Sequence, residues 1–234
     1  MRLRWWIQLG AGQFWFHKNC MDFLILSPRQ SEDTQALWRA ALQAGWHIER
    51  AVGWEPPVIP AGSKIAIYGE PILSRRLAEA YHHVLMEPAA DWLIQLEFTW
   101  KKRAIKQGQL HEFMQPVTWE VEYRCFVFQG NVETLSPYWR AGRLAQSADG
   151  EWVAPHDEQQ QAVAFAEDLL RGSKASLPEA IVLDVGKIEG QGWAAVEANA
   201  CWASGLYGCD SSKALEIIQS ACVPYEQNLD RRDC

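Results

Sequence analysis

The alternation of side chains in residues 118–139, TWEVEYRCFVFQGNVETLSPYW, limits the possible folds more than any other feature of the chain. One side of the pattern holds Trp119, Val121, Tyr123, Cys125 and Val127, and the other holds Glu120, Glu122, Arg124, Phe126 and Phe128. Residues two apart on a strand share a face, so this period predicts a strand, and QGN predicts a hairpin turn. Because both sides carry apolar residues, we expect a sheet that is covered on both faces at one end.

A second hairpin is predicted in residues 176–200, SLPEAIVLDVGKIEGQGWAAVEANA, and it carries acids inside apolar strands. Glu197 and Asn199 are two residues apart and share a face, while Asp184 lies on the partner strand. Strand pairing could bring these oxygen atoms together, and carboxylate and amide oxygens suit Mg²⁺. A buried carboxylate also requires a cation or an arginine nearby. We therefore predict a magnesium site at these three residues; the alternative is that Asp184 only caps a strand end.

Arg124 lies on the first predicted hairpin, on the same side as Glu122. An arginine on a strand is a rigid fork for phosphate or carboxylate. The alternative is a structural salt bridge with Glu122 or another core acid. The glycines in ASGLYGCD, which follows Asn199, indicate a turn with positive φ more than a close approach to substrate.

The first half of the chain predicts a small α/β unit with a parallel sheet. We expect a strand at 22–27, a helix capped by Ser31 and closed by Gly45, a strand at 64–70 and a helix at 71–86. Further helices are predicted at 89–110, 156–172 and 211–222. The predicted domains are a non-domain extension at 1–20, an N-terminal unit at 21–110, a C-terminal part at 111–222 and a loose tail at 223–234.

Composition excludes several classes of function. The net charge of −7 argues against nucleic acid as a partner, and no apolar run is long enough for a membrane helix. The six cysteines include no C-x-x-C pair, which favours a reducing cytoplasm. The motifs of P-loop, Rossmann and serine-hydrolase sites are absent from the sequence.

Residues 118–140 and 180–210 together resemble the C-terminal part of ATP-grasp proteins, in the clade named for two arginines and a lysine. The resemblance implies an α+β, ATP-grasp-like fold: a small N-terminal α/β unit and a C-terminal antiparallel sheet with flanking helices. It implies an ATP- and Mg²⁺-dependent ligase that activates a small-molecule or peptide carboxylate for attack by an amine or thiol. It also implies that Asp184, Glu197 and Asn199 bind Mg²⁺, that Arg124 faces the phosphate, and that Arg103 contributes to nucleotide binding.

The sequence departs from this family between Arg103 and Arg124, which lie only 21 residues apart. Family members carry further strands and a phosphate-binding lysine here, usually before proline, whereas this chain has no Lys-Pro pair. Lys101, Lys102 and Lys106 are expected on a solvated helix face instead. The sequence therefore also allows a non-catalytic ATP-grasp descendant, or a gene product with an internal deletion or a start upstream of Met21.

Overall fold

A computed structural model describes residues 21–95, 117–172 and 177–230 of the chain. The predicted extension at 1–20, Arg103 and the lysines near it lie outside these ranges. Of the helix predicted at 89–110, the described part is a 3-10 helix, Trp92–Gln95. No described helix combines the length and the apolar character needed to cross a membrane.

The N-terminal half forms a three-stranded parallel sheet with helices, which confirms the predicted α/β unit. In chain order its elements are β1 Asp22–Leu26, α1 Glu32–Gln43, β2 His47–Arg50, β3 Lys64–Tyr68, α2 Pro71–Ala80 and β4 His83–Leu85. The sheet order is β2-β1-β3, so both neighbours of β1 run parallel to it. Strand β2 was not predicted, because its sequence HIER has a single apolar residue.

Helix α1 begins where the sequence predicts. The Ser31 hydroxyl accepts a hydrogen bond from the Thr34 amide, and the Thr34 hydroxyl accepts one from the Ser31 amide, which together form a capping box. Gly45 follows the helix with a φ of +75°, a conformation that glycine adopts without steric cost. The cap fixes the first turn of α1, and with it the position of Asp33.

The C-terminal half forms a five-stranded antiparallel sheet in the order β7-β6-β5-β8-β9. Its elements are β5 Trp119–Phe128, β6 Asn131–Arg140, β7 Arg143–Leu144, α3 His156–Gly172, β8 Ala180–Ile188, β9 Gly192–Asn199 and α4 Ser211–Ser220. Both predicted hairpins are confirmed, and Gln129 and Gly130 form the first turn with φ of 49° and 81°. The structure thus has the predicted α+β architecture.

The two faces of this sheet are covered, as the alternation in β5 predicts. Tyr123, Cys125 and Val127 pack on one side in a cluster with Ala162 and Ala166 of α3. Phe126 packs on the other side in a larger cluster that also contains residues of β1, β3, α1 and α4. Arg124, the candidate site residue of β5, lies on this second face, between the antiparallel sheet and the N-terminal unit.

Two predicted segments end differently in the structure. The helix predicted at 71–86 ends at Ala80, because His82 has a φ of +56° and the chain continues into β4. Residues 222–230, predicted within a helix end and a loose tail, form β10 Cys222–Pro224 and α5 Tyr225–Asp230. Strand β10 pairs antiparallel with β4, a contact between segments about 140 residues apart that no local pattern predicts.

Candidate active site

A row of polar side chains crosses the antiparallel sheet at the level of Arg124. Arg124 on β5 is paired with Ser136 on β6 and with Asp184 on β8. Asp184 is in turn paired with Glu197 on β9. Directly opposite residues of an antiparallel pair extend to the same face, so the register brings Arg124, Asp184 and Glu197 side by side.

Asp184 and Arg124 form a two-pronged ion pair. The Nε of Arg124 donates to Oδ1 of Asp184 at 3.0 Å, and Nη2 donates to Oδ2 at 2.6 Å. The Asp184 side chain is fully buried and that of Arg124 is 8% exposed. Burial, helped by the nearby Glu197 carboxylate, raises the pKa of Asp184 to about 6, because it outweighs the opposing charge and hydrogen bonds of Arg124. Arg124 therefore forms a salt bridge with a core acid, as one of its two interpretations predicts, and that acid is Asp184.

Further contacts hold the Arg124 guanidinium in place. Its Nη1 donates to the backbone carbonyl of Gly205 at 3.1 Å. Its central carbon lies 5.2 Å from the ring centroid of Tyr138 and 4.8 Å from that of Tyr207. Burial disfavours the charged guanidinium, but the adjacent Asp184 carboxylate more than offsets this and raises the pKa of Arg124. Arg124 thus stays charged and fixed, with little surface facing solvent.

Glu197 and Asn199 form the more open side of the row. Oε1 of Glu197 lies 3.9 Å from Nη2 of Arg124, and the Glu197 side chain is 49% exposed. Asn199 is paired with Val182, one position further along the same face, and is partly exposed. A β-bulge between Asp184 and Val185 places Glu197 opposite Asp184. The structure therefore brings together Arg124, Asp184 and Glu197, with Asn199 on the adjacent position.

Glu122 lies two residues before Arg124 and is fully buried. One of its carboxylate oxygens, Oε2, accepts a hydrogen bond of 2.5 Å from the hydroxyl of Tyr138. The Tyr138 ring packs on the Tyr207 ring, with centroids 5.3 Å apart. Glu122 is therefore linked to the ring that covers Arg124, and the arginine's partner is Asp184.

The segment that follows β9 packs against the carboxyl end of β3. The Gly69 amide donates to the Trp202 carbonyl at 3.2 Å, and the Tyr68 hydroxyl donates to the Ser204 carbonyl at 3.0 Å. Ligands of open α/β sheets bind at this edge, beyond the carboxyl ends of parallel strands. The polar row and the carboxyl edge of the parallel sheet thus face the same segment of backbone.

The two glycines of this segment differ: Gly208 has the positive φ that the turn interpretation predicts, whereas Gly205 does not. Gly208 has a φ of +85°, and a Cβ there would lie 2.4 Å from the Trp152 ring. Gly205 has no positive φ, but a Cβ there would lie 3.0 Å from the Tyr207 ring and 3.3 Å from Asp33. A side chain at either position would displace groups that contact Arg124 or its neighbours.

The donor chemistry of the row fits a magnesium ion. Asp184, Glu197 and Asn199 supply oxygen atoms, which Mg²⁺ prefers. Carboxylates of Asp33, Asp184 and Glu197 all interact with the single guanidinium of Arg124, so negative charge is in excess around it. The described residues contain no cluster of three His, Cys, Asp or Glu side chains arranged for a metal. The fit therefore depends on two carboxylates and an amide, a number typical of magnesium held together with substrate phosphates.

Residues 101–217 match the family model described as ATP-grasp domain, R2K clade family 2. The match spans half of the chain and includes all four of Arg124, Asp184, Glu197 and Asn199. The fold and this site therefore define an ATP-grasp protein, as the sequence resemblance predicts. Within that class, the chain belongs to R2K clade family 2.

No curated protein matches the chain. Among solved structures, the chain is similar to the macrocyclase MdnB from Microcystis aeruginosa MRC, with a TM-score of 0.42 and 12% sequence identity. That alignment covers 85% of this chain and 96% of MdnB.

Sequence reasoning missed three residues of the site: Asp33, Tyr138 and Tyr207. In the sequence, Asp33 resembles an ordinary acid in the first turn of a helix. Its contact with the site is a hydrogen bond from the Leu206 amide, 173 residues further along the chain. Tyr138 and Tyr207 read as packing aromatics. Tyr138 had a usable signal, since it lies on the same predicted hairpin as Arg124. Arg103 belongs to the matched family region but lies outside the described residues, so its role stays a prediction.

Proposed function

We propose that this protein is an ATP- and Mg²⁺-dependent carboxylate ligase of the ATP-grasp type. ATP would transfer its γ-phosphoryl group to a small-molecule or peptide carboxylate and leave as ADP, with Mg²⁺ holding the phosphates. An amine or thiol would then attack the acyl phosphate and displace inorganic phosphate. The observation that carries the proposal is the row of Arg124, Asp184 and Glu197 on one sheet face, inside the region that matches an ATP-grasp family. Membership of that family supports nucleotide binding.

The proposed roles follow from exposure and charge. Glu197 and Asn199, on the open side of the row, would hold the magnesium ion. Asp184 would share the ion through lone pairs that Arg124 does not use, because each carboxylate oxygen has two. Arg124 would hold Asp184 in its ionised form and add positive charge near the transferring phosphoryl group. We also assign Arg103 to nucleotide phosphate, as the family resemblance implies.

Isothermal titration of the full chain with ATP, with and without Mg²⁺, tests the binding step. Glu197→Gln keeps the size of the side chain but removes its charge, and we expect affinity for Mg–ATP to fall about 10- to 100-fold. Glu189→Gln is the matched control, because Glu189 is an exposed acid in the turn of the same hairpin. Absence of Mg²⁺-dependent ATP binding at millimolar concentration in the unmodified protein would refute the proposal.

A non-catalytic, degenerate ATP-grasp module is the second candidate, and one observation favours it. The Arg124 guanidinium is almost completely buried, and Asp184 already neutralises its charge. An arginine in this state has little capacity left for phosphate. ATP turnover with mixtures of small carboxylates and amines separates the candidates. Binding without turnover, unaltered by Asp184→Asn and Glu197→Gln, would favour the module.

We further propose a cytoplasmic location and no nucleic-acid partner. Cys125, Cys201, Cys209 and Cys222 are free and buried, and burial raises the pKa of each thiol. Such thiols are unreactive and need no oxidising compartment. The net charge of −7 would repel a polyphosphate backbone.

A further inference from the structure

The backbone from Ser204 to Tyr207 is held from two opposite sides. On the side of the antiparallel sheet, Arg124 donates to the Gly205 carbonyl and lies against the Tyr207 ring. On the side of the N-terminal unit, Tyr68 donates to the Ser204 carbonyl and Asp33 accepts from the Leu206 amide. This short segment is therefore the link between helix α1 and the polar row.

Asp33 is the charged group that the N-terminal unit contributes to that link. Its Oδ1 accepts the Leu206 amide at 3.1 Å, and its Oδ2 lies 3.4 Å from the Tyr68 hydroxyl. Burial raises the pKa of Asp33, although the Leu206 amide, the Tyr68 hydroxyl and the charge of Arg124 act in the opposite direction. The helix dipole favours an acid in the first turn, but the exposed Glu32 in that turn already provides one. The dipole alone therefore does not explain why Asp33 is partly buried.

The consequence of this link reaches the proposed metal ligands through Arg124. If the Leu206 amide lost its acceptor, the Gly205 carbonyl and the Tyr207 ring would lose their fixed position. Both groups touch the Arg124 guanidinium, which in turn aligns Asp184 through two hydrogen bonds. Mutation of a group that orients metal ligands without binding the metal itself typically lowers metal affinity 10- to 100-fold.

We propose that Asp33 is a positioning residue for Mg–ATP binding, acting through the Leu206 amide and Arg124 on Asp184 and Glu197. This inference rests on the proposed function, since it assigns Asp33 to the same site. It also gives the N-terminal unit a role in that site. Helix α1 sets the geometry of the nucleotide site without contributing a ligand.

Three variants of the full chain test the proposal. Asp33→Ala removes the acceptor of the Leu206 amide. Asp33→Asn keeps an oxygen for that amide, and its amide nitrogen can donate to the Tyr68 hydroxyl oxygen. Glu32→Ala is the matched control, because it removes an acid from the same helical turn and changes the interaction with the helix dipole equally.

Two measurements are made on each variant: amide hydrogen exchange at Leu206 and affinity for Mg–ATP. For Asp33→Ala we expect about tenfold faster exchange at Leu206 and about tenfold weaker binding. For Asp33→Asn and Glu32→Ala we expect both values within about threefold of the unmodified protein. Recovery in the asparagine variant distinguishes positioning from a general loss of stability, which thermal unfolding of all three variants measures independently.

The outcomes separate the two proposals. If the unmodified protein binds Mg–ATP and Asp33→Ala binds it equally well, the positioning role is wrong and the proposed function stands. Equal weakening by Glu32→Ala would also overturn it, because the effect would then come from the helix terminus. If the unmodified protein shows no Mg²⁺-dependent binding, the proposed function fails and the role of Asp33 fails with it.

Discussion

Arg124 is the residue of the site whose replacement is expected to cost the most stability. Its partner Asp184 is fully buried, so solvent does not screen their interaction. Removing one member of a buried pair leaves an uncompensated charge, whereas replacing both with apolar residues is often tolerated. The two residues are therefore needed together. A large loss of stability is expected only when one partner is replaced and the other is kept.

We expect Arg124→Met to lower the free energy of unfolding by about 3–5 kcal/mol at pH 8, because Asp184 would remain buried without its counter-charge. The double variant Arg124→Met, Asp184→Leu should recover most of this loss. Urea unfolding of the full chain measures both. Glu197→Gln is the control within the same row: Glu197 is half exposed, and its loss should cost less than about 1 kcal/mol.

The same variant has a predicted pH dependence. The Asp184 carboxyl has an ordinary pKa of 3.8, and in the folded protein burial raises it to about 6. Without Arg124 the folded pKa rises further, so the folded state keeps a proton that the unfolded state releases above pH 4. The destabilisation by Arg124→Met should therefore be smaller at pH 5 than at pH 8. A loss that is the same at both pH values would contradict the pairing of Asp184 with Arg124.

At the scale of elements, the two hairpins illustrate what sequence can predict. The sequence predicts the alternation in β5 and the position of Asp184 on β8, because residues two apart on a strand share a face. It does not predict the partner of Arg124, since that partner depends on the register between strands whose paired residues lie 60 positions apart. Glu122, the local candidate, is hydrogen-bonded to Tyr138 instead.

Two short strands were missed for a related reason. Strand β2 is an edge strand in which His47 and Glu49 are exposed, so its hydrophobic signal is weak. Strand β10 has three residues and exists because β4 lies beside it. Both depend on tertiary partners, which no window of sequence contains.

The strand β10 gives a prediction at this scale. Val223 is buried beside β4, whereas Gln227 on α5 is exposed. We expect Val223→Ala to lower the free energy of unfolding by about 1.5–3 kcal/mol, since it removes buried methyl groups and leaves a cavity. Gln227→Ala should change it by less than about 0.5 kcal/mol. Equal, small effects in urea unfolding would mean that residues 223–230 behave as the loose tail expected from sequence.

At the scale of the whole molecule, the N-terminal unit and the antiparallel sheet share a core. The cluster that contains Leu24, Leu37 and Ile67 of the N-terminal unit also contains Phe126 and Val182 of the sheet. Helix α4 contributes Leu215 and Ile218 to the same cluster, although it follows the sheet in sequence. The proposed site lies along this shared surface, so its geometry depends on both halves being folded together.

We therefore expect the protein to unfold in one cooperative transition, with the same midpoint by near-ultraviolet and far-ultraviolet circular dichroism. Leu37→Ala in α1 and Leu183→Ala in β8 each remove a fully buried side chain, on opposite sides of the antiparallel sheet. Each should lower the free energy of unfolding by about 2–5 kcal/mol and shift the whole transition. If Leu37→Ala instead produced a first transition that left the β-sheet signal intact, the two halves would be independent. The link from Asp33 to Arg124 would then join separately folding units, and loss of the N-terminal unit would abolish Mg–ATP binding before the sheet unfolds.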